Sequence, residues 1–125
     1  MKQGDCFFNK ATPGLRSHPW VIISDPETDP DNVVIVNLTD AEGHDDHTCL
    51  LGPLDHPEVF RKRSYVAYRW AQITSVQELE EVKSSLIMKP PVPDQTLRKI
   101  LAGVTEGGEL PNAHRVILQR QGVIF

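Results

Sequence analysis

The chain has 125 residues, 39% hydrophobic and 24% charged, with a formal net charge of -4. That is one domain's worth of chain, able to bury a core without metal or disulfide staples, and its acidic balance argues against a general nucleic-acid coat protein. No run of about 18 apolar residues offers a membrane span, and "MKQGDCFFNK" lacks the apolar core of a signal peptide, which points to the cytoplasm.

In chain order, Gly4 to about Ile73 reads as strands and the remainder as helices. "CFFNK", short and aromatic after Gly4 and Asp5, predicts a first strand. Pro13 and Gly14 make "NKATPGLRSHP" a loop. "WVIIS" and "VVIVNLT" are rich in β-branched residues and bounded by turn formers, which predicts two central strands joined by the acidic turn "DPETDPDN". A polar loop, "DAEGHDDH", precedes a short strand in "TCLLG". "PLDHPEVFRKR" then leads into "SYVAYRWAQI", read as one strand with Val66, Tyr68 and Trp70 on one face and Tyr65, Ala67 and Arg69 on the other. Five short strands with loops this close imply a small, strongly bent barrel. Cys6 and Cys49, far apart and without a C-x-x-C spacing, read as free, part-buried thiols.

The change to helix is chemical. Ser75 and Glu78 form a capping-box pattern, and Val76, Leu79 and Val82 recur at helical spacing. "MKPPVPD" cannot be helix interior, because proline lacks the N–H and clashes with the preceding turn. Leu97, Ile100, Leu101 and Val104 make an apolar stripe ending near Gly107 and Gly108. A last helix runs from Pro111, suited to a first turn, to Gly122, a natural stop. The reading is one domain, with a barrel over 1–74 and a helical part over 75–125.

Two stretches carry chemistry on their own terms. Arg61, Lys62 and Arg63 stand beside Tyr65 and Tyr68, the mixture of phosphate-pairing cations and rings used on single-stranded nucleic acid. The bland alternative is a solvated basic loop entering a strand whose aromatics pack the core, which is the better account of Tyr68 and Trp70. "HDDHTC" offers His44, His47 and Cys49 as zinc ligands, yet no second ligand pair follows at finger-like spacing, so it reads as a solvated loop.

A Gly-Asp opening the first strand, a loop closing on "HPWVIISDP", the strand "VVIVNLT" ending in Thr, and "DHPEVFRKRSYVAY" together resemble the MazF/PemK toxins of type II toxin-antitoxin systems, in their PemK-like branch. The resemblance covers roughly the first 75 residues. It implies an SH3-like barrel of the MazF/PemK/CcdB type with appended helices, a homodimer, a cognate antitoxin as partner, and metal- and cofactor-independent cleavage of single-stranded RNA by its own 2'-hydroxyl.

Matched block to block, the family's Thr falls on Thr39, and the family's Arg falls on His18. An imidazole can be base or acid near neutrality but cannot clamp two phosphate oxygens as a guanidinium does. Arg16 in the same loop is the candidate replacement for that clamp. With it go Lys10, His56 as a second proton carrier, and the segment Arg61, Lys62, Arg63 and Tyr65 as RNA contacts. Each has a plain alternative: His18 orienting the chain before Pro19, and Thr39 as turn chemistry before Asp40. At the level of the whole protein, the rival is a non-catalytic protein-binding module on the same barrel. A CcdB-like gyrase binder is one version of it, although the Trp expected near the C-terminus is absent from "RQGVIF".

Overall fold

The computed structural model describes residues 1–9, 18–41, 48–56, 58–60 and 62–124. Its centre is built from the segments densest in β-branched residues, β2 (Pro19–Ile22) and β3 (Val33–Asp40). Around them lie β1 (Cys6–Asn9), β4 (Leu50–Leu51), β5 (Ser64–Val66), β6 (Gln72–Thr74) and β7 (Leu86–Lys89). All pairs are antiparallel, in the order β4-β5-β3-β2-β1-β7, with β6 also on β3. β3 holds the sheet together. It pairs with β2 through Ile35, Val36 and Asn37, with β6 through its first three residues, and with β5 through its last three.

The continuous apolar runs of the central strands have a simple cause: both faces of the sheet are covered. Cys6, Val21, Ile23, Val34, Val36 and Leu38 pack with Ile100 and Val104 of α2 (Asp94–Thr105) and Leu118 of α3 (Asn112–Arg120). Phe7, Trp20, Ile22, Val33 and Ile35 pack with Leu86 and with Leu79 of α1 (Val76–Glu81). The α1 cap is the one expected, the Ser75 hydroxyl accepting from the Glu78 N–H at 3.0 Å, while the Glu78 carboxylate accepts from the Thr74 hydroxyl at 2.8 Å.

Three expectations change. The stretch "SYVAYRWAQI" is not one strand: a single 3-10 turn at Tyr68–Trp70 separates β5 from β6. That turn sends Tyr68 into the core and leaves Trp70 63% exposed, so Trp70 is not a packing residue. β7 has no counterpart in the sequence reading, because on this edge strand Ile87 and Met88 are both exposed and erase the alternation that marks a half-buried strand. The path ends at β4 and β7, with no pairing between them among the described residues. Among the described residues the protein is therefore a seven-stranded antiparallel sheet with C-terminal helices. Among the described residues no helix is long and apolar enough to cross a membrane.

Candidate functional site

β3 changes character along one face. Val33 and Ile35 face the α1 side of the core, and the same alternation places Asn37 and Thr39 on that face, where the buried surface gives way to half-buried polar positions. On one side Trp20 of β2 lies opposite Asn37. His18 directly precedes Pro19, the first residue of β2. On the other side Thr39 pairs with Tyr65 of β5, and Tyr65 with Leu50 of β4. Thr39, Tyr65 and Leu50 thus fall in a row across β3, β5 and β4. Directly opposed residues of antiparallel strands hold their Cβ atoms about 4.5–5.5 Å apart, close enough for neighbouring side chains to act on one ligand.

Asn37 belongs to this group, and the sequence reading did not single it out. The Thr39 hydroxyl donates to the Asn37 side-chain oxygen at 3.4 Å, while the Asn37 backbone carbonyl accepts from the Ala67 N–H at 2.9 Å. The available signal was a polar residue at an in-register position within "VVIVNLT", where a purely structural strand would continue apolar.

The cations enter beside the row. Lys62 and Arg63 are exposed and directly precede β5. The Arg63 carbonyl accepts from the Ala41 N–H at 3.0 Å, which pins the segment two residues beyond Thr39. Arg16, Lys10 and Arg61, proposed to share this work, lie outside the described residues, as do His44 and His47.

Two candidates are placed differently from expectation. His56 is 5% exposed; its Nε2 lies 2.8 Å from the Pro90 carbonyl and its ring meets Phe60 edge-on at 5.9 Å. An imidazole enclosed in this way anchors its loop and offers no surface to RNA. Tyr65 is 9% exposed, which leaves no open ring face for a base and makes it part of the floor of the row. Thiol chemistry at Cys6 is also disfavoured: burial first, with Asp5 adding to it, pushes that thiol up to about 12, so the nucleophilic thiolate is scarce near neutrality. Among the described residues no three His, Cys, Asp or Glu side chains come together as a metal-binding group.

What this face offers is the Thr39 hydroxyl and the Asn37 carboxamide in neighbouring positions, bordered by Lys62 and Arg63. No model of a known protein family matches the chain, and no curated protein matches it.

Proposed function

We propose that this protein is a single-stranded-RNA endoribonuclease of MazF/PemK type, acting without metal on a bent, SH3-like sheet. The observation that supports the reading is the place of Thr39 near the end of β3, paired with Tyr65 and close to the exposed Lys62 and Arg63 that lead into β5, with His18 just before β2. The 2'-oxygen attacks the adjacent phosphorus as the P–O5' bond breaks, giving a 2',3'-cyclic phosphate and a 5'-hydroxyl end. His18 either removes the 2'-hydroxyl proton, with water protonating the leaving 5'-oxygen, or protonates that oxygen, with water accepting the 2'-hydroxyl proton. Thr39 and Asn37 supply donors to the phosphoryl oxygens, and the cations offset the charge that accumulates there. For the fold, support comes from the way β3 is shared at its two ends by β5 and β6 across a 3-10 turn, which bends the sheet around that strand.

Trp70 favours the second reading, a protein-binding module. Large exposed aromatics are enriched at protein interfaces, and Trp70 stands clear of the row on the 3-10 turn.

The two readings differ in salt dependence. Replacing Arg61, Lys62 and Arg63 together with alanine should weaken binding to an unstructured RNA and reduce the slope of log K against log salt by about 2, because each lost phosphate contact on a single strand removes about 0.7 from that slope. Lys62 and Arg63 are exposed, and exposed charges contribute little to stability, so replacing these two should hardly move the melting temperature. An unchanged slope removes this segment from the site.

A further inference from the structure

The residues that lead towards Lys62 and Arg63 carry a cluster of polar contacts that the proposed chemistry does not use. After β4 the chain turns through an exposed tip, where Leu54 is 102% exposed and contributes nothing to the core. The next residue, Asp55, is fastened to α2. Its carboxylate pairs with Lys99 at 2.6 Å and accepts from the Gly52 N–H at 2.8 Å, and its backbone carbonyl accepts from the Thr96 hydroxyl at 2.9 Å. His56 follows, held to Pro90, and its carbonyl accepts from the N–H groups of Val59 and Phe60 at 3.1 and 2.8 Å. Phe60 is buried, and Arg61 alone separates it from Lys62.

We infer that Asp55, Lys99 and Thr96 are positioning residues, an anchor on α2 that holds the segment carrying Lys62 and Arg63 beside Thr39 at the end of β3. The anchor fixes one end of the segment, and the Arg63–Ala41 backbone bond fixes the other. This inference rests on the RNA-binding reading of that segment. Val59 and Phe60 pack into the core between the anchor and the cations, and the hydrogen bonds of Asp55 fix the geometry of the turn before them, where Leu54 stands in solvent. Asp55 is well placed for it. Its side chain is only 14% exposed, and although burial is the largest single influence and favours the neutral acid, the Lys99 bond, the Gly52 N–H and the Lys99 charge together hold the carboxyl below its ordinary value.

The sign of a charge effect provides the test. Asp55→Asn removes a negative charge near bound RNA, so an electrostatic role alone would tighten binding, whereas loss of the anchor should weaken it about 5-fold by disordering the cations. Lys99→Met should weaken binding to a similar degree and Lys99→Arg should restore it. Both losses should vanish in a Lys62→Ala/Arg63→Ala background, since residues acting through one another are not additive. Should Asp55→Asn fold poorly, Thr96→Val removes one anchor bond at nearly constant volume and serves the same cycle. Tighter or unchanged RNA binding by Asp55→Asn, or losses that simply add in the double-alanine background, would overturn the anchor while leaving the RNA reading intact. Absence of salt-dependent RNA binding by the parent protein would instead overturn that reading, and the anchor's role with it.

Discussion

A Gly103→Ala variant is expected to lose about 2–5 kcal/mol of folding stability, the combined scale of overpacking a rigid core and stranding a buried hydroxyl. A methyl group at position 103 would occupy the space of the Tyr68 hydroxyl, and Tyr68 cannot retreat. It is fully buried, and its hydroxyl donates to the Ile100 carbonyl at 2.6 Å, inside the helix that carries Gly103. Position 108 is equally crowded, because an added Cβ there would stand 2.5 Å from the Gly103 carbonyl and 2.9 Å from the Tyr68 ring. Alanine improves on glycine in a helix by about 1 kcal/mol, which is too little to offset the clash. Urea denaturation of the variant, with Gly52→Ala as a control at an open position, measures the difference. Adding Tyr68→Phe to Gly103→Ala should recover part of the loss by removing the nearest atom. A Gly103→Ala protein as stable as the parent would mean that α2 does not close on Tyr68 in this way.

The largest effect on activity is expected at His18. If its imidazole transfers the proton, His18→Ala should reduce cleavage about 100- to 10,000-fold, the usual worth of a general acid or base, with RNA affinity nearly unchanged. His18→Arg separates proton transfer from charge. A guanidinium does not titrate near neutrality, so this variant should keep phosphate contact and yet lose the pH dependence that the imidazole imposes. Rates measured from pH 5 to 9 decide it. Cleavage like the parent's by both variants at every pH would leave His18 as a loop residue before Pro19.

How much of this was legible in the sequence depends on what each residue faces. The central strands and all three helices were readable, because β-branched density, the Ser75 cap and the stripe of Leu97, Ile100, Leu101 and Val104 are local signals. The break within "SYVAYRWAQI" was not, since alternation along a strand and a turn that buries Tyr68 place the same residue types at the same spacing. β7 stayed hidden because an edge strand with Ile87 and Met88 both outward has no period to detect. For the site, His18 and Thr39 were named from short blocks, and the structure puts the first just before β2 and the second near the end of β3. Asn37 drew no notice because a lone Asn in a strand carries no motif. His56 looked available because "LDHPEVF" reads as loop, and nothing local says that its ring reaches the Pro90 carbonyl 34 residues away. The anchor of Asp55 on Lys99 is equally non-local, joining residues 44 positions apart.

The central claim is a chemical one and has a direct measurement. The purified protein, folded and free of any bound antitoxin, is incubated with several long unstructured RNAs in EDTA, and the new ends are mapped and their chemistry determined. The expected result is cleavage at a restricted set of sequences, leaving 2',3'-cyclic phosphate on one fragment and 5'-hydroxyl on the next. Intact RNA throughout that set, or cleavage that leaves 5'-phosphate ends, would contradict it and turn attention to Trp70 and the protein-binding reading.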